Sequence, residues 1–370
     1  MKSLINPLTK KPITQIEFNL KNTLVNGQAF NWINKDVTYN KEFRGILGKN
    51  VVDFKVNENN EVMYKEIPEN SKIEEIINDY LQLNVDLVKL TVEWSEKDNY
   101  YAKVKEQLKG VRILRQFPFE CMISFICSQN NNIPRITKIL KSLRQNFGEE
   151  IYREKLEDGS EEIYYSFPSV ASLRKATEQN LRDLGLGYRA NYIVSAVQLL
   201  EEKGGEEYLH KLRQLKDSHE KREALLEFKG IGNKVADCIS LFSLDAKDLI
   251  PVDTHVFQIY NRVYKKNKNK DKKMTKDQYS EIENFFKDLY GDYAGWAHQA
   301  IFAAELVSFQ SEINSNENSS VKKTKSSKLQ EEKEQEKEQT TEEQKIISKS
   351  KISEQTSSEK NKRNQNKKIK

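Results

Sequence analysis

A chain of 370 residues leaves room for two or three domains of ordinary size, and its formal charge of +5 is unevenly placed. Residues 311–370 hold 15 Lys and Arg against 11 Asp and Glu, so +4 sits in this tail, +1 is left for residues 1–310, and a uniformly basic body is excluded. The tail also has no aromatic, Gly or Pro residue and only seven apolar ones, too few to offset the entropy of ordering it, and disorder is expected over residues 310–370.

The first hundred residues carry period-2 signals. Val52, Phe54 and Val56 alternate with polar residues, residues 57–60 supply turn chemistry, and Val62 and Tyr64 resume the alternation, which predicts an antiparallel hairpin. A helix is expected next, opened by a capping box of Ser71 and Glu74, with Ile73, Ile76, Ile77, Tyr80 and Leu81 on one buried face. Residues 1–98 therefore read as an N-terminal α+β domain built on an antiparallel sheet. From residue 99 to 309 the spacing is helical throughout, in segments such as 136–147, 190–202, 224–244 and 282–290, which predicts an all-α core. Residues 265–276 read as a basic surface loop. Cys121, Cys127 and Cys238 cannot build a disulfide framework, and no pair has Cys-x-x-Cys spacing, which suits a reducing compartment. The N-terminus lacks the apolar stretch of a secretory signal, and no apolar run approaches the ~18 residues of a membrane span. A soluble intracellular protein with no membrane partner is expected.

The most informative stretch is LLEFKGIGNKVADC at 225–238. Two helices joined by Gly230-Ile231-Gly232 suit a hairpin in which the glycines adopt positive φ, approach a ligand without a Cβ, and leave the next helix presenting free N–H groups to a phosphate. An ordinary interhelical turn fits Gly-x-Gly equally well. Lys234 lies in the first turn of the second helix, where the dipole and apolar neighbours are expected to lower its pKa and make it a nucleophile. Asp253, after Pro251 and Val252, is expected to cap a helix and to be free for chemistry as well.

These residues, with Val252-Asp253-Thr254-His255, resemble the signature of helix-hairpin-helix (HhH-GPD) base-excision DNA glycosylases, and most closely the eukaryotic 8-oxoguanine DNA glycosylase/AP lyase family. The resemblance extends over about residues 15–309. It includes Asn26-Gly27-Gln28-Ala29-Phe30-Asn31-Trp32, the run from Phe125 through Asn130-Asn131-Asn132 to Ile136, Leu184-Gly185-Leu186-Gly187-Tyr188-Arg189-Ala190 and Tyr293-Ala294-Gly295-Trp296-Ala297.

The resemblance implies a bifunctional enzyme that flips 8-oxoguanine out of a pair with cytosine, and acts on formamidopyrimidine too. Lys234 would attack C1′, expel the base and form a Schiff base that permits β-elimination, while Asp253 would stabilise the cationic sugar. Asn130 would fill the vacated stack, Tyr188 would wedge the opposite strand, and Arg135 and Arg189 would contact the orphaned cytosine. Gly27 would read N7–H of the damaged base through its carbonyl, with Cys238, Phe302 and Pro251 around the ring. Gly230, Gly232 and His255 would hold phosphates. The family's Gln for the Watson–Crick edge falls on His298, with Gln299 one residue beyond; a neutral His can donate and accept, with an altered pH dependence expected.

No cofactor is implied for catalysis. No cysteine follows Cys238, so the four-Cys iron–sulfur cluster of some relatives cannot form, while carbonyls near Leu226, Phe228 and Ile231 would hold a structural cation. Double-stranded DNA is the implied partner, with an AP endonuclease downstream and the protein acting as a monomer. The expected location is the nucleus, with the mitochondrion left open. The basic clusters around Lys322 and Lys362 fit import signals, a DNA tether or a plain solvated extension. A glycosylase for another damaged base and a silent damage-binding protein are the competing readings; Lys234 together with Asp253 argues against silence.

Overall fold

The computed structural model describes residues 1–265 and 274–303. Most of the basic loop and the whole charged tail lie outside the described residues.

Five antiparallel strands form the N-terminal sheet: β1 Lys2–Ser3, β2 Ile33–Asn34, β3 Glu42–Leu47, β4 Asn50–Val56 and β5 Val62–Ile67, in the order β1-β5-β4-β3-β2. The expected hairpin is β4 with β5. Phe54 pairs with Tyr64 and Val56 with Val62, and the turn is made by Asn60 at φ 64° and by Asn57, whose Oδ1 accepts from the Glu61 amide at 2.9 Å. The apolar residues of these strands face helix Ile73–Tyr80, and Trp32 lies across Gly45, where a Cβ would fall 2.4 Å from its ring. The helix buries Ile73, Ile77 and Tyr80 as expected, but the capping box does not form. Asn70 Oδ1 accepts from the Lys72 amide at 2.9 Å instead, so the local turn precludes a Ser71 cap and the helix starts at Ile73 with no side-chain cap.

The second layer is helical, with one exception. Strands β6 Glu150–Lys155 and β7 Glu161–Tyr165 form a separate hairpin inside the stretch read as helical throughout. Gly159 at φ 82° makes its turn, and Tyr152 stacks on Tyr164 with centroids 6.1 Å apart. Strands of six and five residues are too short for the period to stand out from neighbouring helices.

The junction of sheet and helices holds the segment containing Gly27 in place. Gln28, fully buried, donates from Nε2 to the carbonyls of Thr23 (2.9 Å) and Arg112 (2.8 Å) and accepts the Leu114 amide at Oε1 (2.9 Å). Arg112, also buried, donates to the carbonyls of Leu81, Gln82, Val85 and Glu17. Burial lowers its guanidinium only to about 10, so it stays charged, neutralised by carbonyl dipoles rather than by an ion pair.

Candidate active site and nucleic-acid interface

The hairpin forms from helix Ser218–Leu226, a turn, and helix Asn233–Ser243. Gly230 sits at φ 84° with its α-carbon against the Tyr192 ring, so close that a Cβ would fall 2.4 Å from it. The two glycines differ, contrary to expectation. Gly232 has φ −105° and caps the second helix with no side-chain hydrogen bond, and nothing lies within 4 Å of where its Cβ would be. Its role is therefore access: Gly232 and Asn233 are exposed, and the free amides of the helix start can be reached by an anion.

Lys234, half-buried, points across Phe125, with Nζ 5.8 Å from the ring centroid. Its ammonium is held above the ordinary lysine range by the charge of Cys238 first; burial pulls it down and Asp253 pushes it up again. This corrects the expected depression. The Cys238 thiol and the Asp253 carboxylate together outweigh the effect of burial there. Cys238, one turn on and buried, is pushed up to about 11 by burial, against the influence of Lys234.

Asp253 caps helix Thr254–Ile259 as expected, accepting from the amides of His255 (2.9 Å) and Val256 (3.0 Å) through Oδ1. Pro251 and Val252 before it are buried. Helical residues 294–303 bring His298 and Phe302 to the same place. The two rings stack with centroids 6.4 Å apart at 26°, and His255, exposed, lies edge-on to Phe302 at 6.3 Å. His298 is 4% exposed, and neither ring nitrogen has a hydrogen-bond partner. Burial, with a smaller push from Lys234 against the pull of Asp253, lowers it to about 4, so it is neutral at physiological pH. Lys234 and Asp253 thus act through space on both the Cys238 thiol and the His298 imidazole, which places the four side chains near one another.

A second set of residues surrounds the turn between helices Pro118–Ser128 and Ile133–Phe147. Asn130 is exposed in the left-handed region at φ 45°. Asn131 donates to the Cys127 carbonyl at 3.0 Å, and Asn132 caps the second helix by accepting from the Arg135 amide at 3.0 Å. Arg135 is exposed, with one contact to the Gly185 carbonyl at 3.2 Å. Tyr188 is 45% exposed after the glycine turn in which Gly185 and Gly187 both have positive φ. Arg189, expected to contact the orphaned cytosine, is largely buried in the free protein. It is 3% exposed, lies under the Tyr188 ring, and donates to the carbonyls of Gln129 (2.9 Å from Nε) and Asn130 (2.9 Å from Nη2). Those carbonyls, left bare by the sharp turn, take up its donors, so Arg189 holds the loop that presents Asn130.

Gly27, at φ 90°, faces this loop: a Cβ there would lie 3.9 Å from Ile133 Cδ1. Ile133, 44% exposed at the start of its helix, and Phe125 under the lysine are contributors that sequence reasoning missed; each lies within a quoted motif, but only the fold shows what it touches. Among the described residues no cluster of three or more His, Cys, Asp and Glu could hold a metal ion. Of the carbonyls named for a structural cation, that of Phe228 already accepts the Ile231 amide at 3.0 Å. No described helix is long and apolar enough to cross a membrane.

Residues 10–122 match the N-terminal domain of 8-oxoguanine DNA glycosylase, and residues 123–284 match the HhH-GPD superfamily of base excision DNA repair proteins. The chain is 35% identical over 330 residues to the N-glycosylase/DNA lyase OGG1 of Arabidopsis thaliana, covering 84% of this chain and 86% of that one. It is 33% identical to the N-glycosylase/DNA lyase of Saccharomyces cerevisiae, covering 80% and 86%. Among solved structures, the 8-oxoguanine glycosylase/lyase of Clostridium acetobutylicum in complex with double-stranded DNA containing cytosine opposite 8-oxoguanine superposes with a TM-score of 0.67 at 30% identity, over 78% of this chain and 91% of that one.

Proposed function

The chain belongs to the 8-oxoguanine DNA glycosylase family of the HhH-GPD superfamily, and we propose that it excises 8-oxoguanine paired with cytosine and then cleaves the strand by β-elimination. The observation that carries this reading is an ammonium, a carboxylate and an unpaired neutral imidazole placed near enough to act on one another: Lys234, Asp253 and His298. The activities named for the relatives support it.

In this reading Lys234 gives up its proton and attacks C1′ of the flipped nucleotide. The bond from C1′ to the base breaks with its electron pair leaving on the base. The adduct opens to a Schiff base, and loss of a C2′ proton expels the 3′ phosphate. Asp253, already ordered by its two amide bonds, faces the positive charge that builds on the sugar. Because Lys234 is held protonated in the free protein, the amine fraction grows as pH rises, and the chemical step should accelerate with alkalinity.

Phe302, Cys238 and Pro251 enclose the base, the Gly27 carbonyl accepts its N7–H, and His298 meets its Watson–Crick edge in place of the family's Gln. Asn130 and Tyr188 enter the duplex, Arg135 and Arg189 meet the orphaned cytosine, and Gly230, Gly232 and His255 hold phosphates. The protein acts as a monomer, and its cleaved product calls for an enzyme of the AP endonuclease class. A nuclear location is the remaining part of the proposal, and fusing residues 311–370 to a reporter would test it.

The decisive measurement is borohydride trapping on a duplex with 8-oxoguanine opposite cytosine. The wild type should yield a covalent adduct and Lys234→Gln none. A wild type that binds this duplex yet traps nothing would overturn the proposal.

A further inference from the structure

Behind the pocket lies a group of buried polar side chains that the chemistry above leaves unused. Asp237 stands three residues after Lys234 on the same helix and is fully buried. Arg222, from the other hairpin helix, grips its carboxylate, with Nη2 to Oδ2 at 2.9 Å, and donates from the same nitrogen to Glu283 Oε1 at 2.7 Å. Tyr279, from helix Lys276–Tyr290, donates its hydroxyl hydrogen to Asp237 Oδ2. The same hydroxyl oxygen lies 3.4 Å from the Val252 amide, which donates to it. One hydroxyl therefore joins the lysine-bearing helix to the backbone immediately before Asp253. Burying two carboxylates against Arg222, with Lys287 Nζ 3.4 Å from Glu283 at the edge, is a poor way to stabilise a core, since apolar residues of the same volume do as well or better. A hydrogen-bonded bridge, however, fixes distance and direction in a way that apolar packing does not.

We infer that Tyr279 and Asp237 are positioning residues that set the separation of Lys234 and Asp253 by clamping the lysine helix to the segment holding Val252 and Asp253. The inference rests on the function proposed above. Neither side chain touches the substrate. The clamp acts because attack at C1′ and stabilisation of the departing sugar charge must come from fixed points, and an error of about 1 Å in such a geometry can cost roughly a hundredfold in rate.

The test is Tyr279→Phe, which keeps the ring and its packing and removes only the bridging oxygen. Its affinity for a duplex containing 8-oxoguanine opposite cytosine should stay within about twofold of wild type, while single-turnover base excision and the borohydride-trapped adduct fall by about tenfold or more. Glu283→Gln, which alters the Arg222 contact but neither end of the bridge, should leave the single-turnover rate within about twofold of wild type. A Tyr279→Phe protein that melts at a lower temperature yet excises at the wild-type rate overturns the inference and leaves Tyr279 a structural residue. If Tyr279→Phe does not fold, Asp237→Asn, of the same shape, carries the same expected fall and the same overturning result. A wild type that gives no adduct overturns the function reading, and the clamp with it, which is distinct from a variant that matches an active wild type.

Discussion

The surroundings of Lys234 and His298 and the turn at residues 129–132 treat their polar groups in different ways. In the turn, donors and acceptors are mostly used internally, although Gln129 Nε2 is buried without a partner. Arg189 holds the Gln129 and Asn130 carbonyls, Asn131 holds Cys127, and Asn132 caps a helix. In the pocket both His298 nitrogens are bare and the Gly232 helix start is uncapped by any side chain. Leaving a buried donor or acceptor unmet costs about 1–3 kcal/mol, so the pocket is poised for a ligand that supplies the missing partners. The turn is preorganised instead: bonds made before DNA arrives leave Asn130, Arg135 and Tyr188 projecting, which lowers the ordering cost of binding.

The contrast predicts that variants around Lys234 alter chemistry or the pH dependence of stability, and that turn variants alter binding while leaving the chemical step in place. The largest effect on a folded protein that keeps its lysine should come from Asp253→Asn. Asn caps a helix about as well as Asp, so the melting temperature should change little, but without the charge excision should drop by about 10²–10³-fold. Should Asp253→Asn destabilise as much as Asp253→Ala without a larger loss of excision, Asp253 is chiefly a cap.

Next comes His298→Gln. Folding holds His298 down at about 4, below its ordinary 6.5, so the unfolded chain binds the extra proton between those values. Stability from the neutral imidazole is therefore present above about pH 6.5 and is lost as pH falls toward 4, by about 3 kcal/mol. Asp237, pushed up to about 6 by burial, works in the opposite direction over much of the same range. The informative quantity is accordingly the difference between wild type and His298→Gln in denaturant titrations at several pH values. It should grow by about 3 kcal/mol in favour of wild type between pH 4 and 6.5, and a flat difference would show that His298 is more hydrated than its surroundings suggest.

The smallest effect should come from Arg189→Lys. A single ammonium cannot bridge the carbonyls of Gln129 and Asn130 as the forked guanidinium does, so stability should fall by about 1–2 kcal/mol. Duplex affinity should weaken while the single-turnover excision rate on bound DNA stays near wild type. A slower chemical step with unchanged affinity would break the division between the two regions.

Features set by neighbours in the chain were legible from the sequence. The β4–β5 hairpin, the helix-hairpin-helix turn and the cap at Asp253 follow from alternation, from glycine, and from a short side chain that reaches amides two and three residues away, whereas the equally local capping box of Ser71 and Glu74 does not form. The β6–β7 hairpin was hidden because its strands are too short for their period to outweigh the flanking helical spacing. Tertiary structure decided everything that depends on burial or on partners far along the chain. The Lys234 ammonium is raised by Cys238, one turn along its own helix, and also by Asp253, which only folding brings near, Arg189 serves carbonyls sixty residues away, and Tyr279 reaches both Asp237 and Val252. The physical reason is common to all three: a charge or a hydrogen bond depends on which groups face each other and on how much water lies between them, and residue spacing along the chain encodes neither.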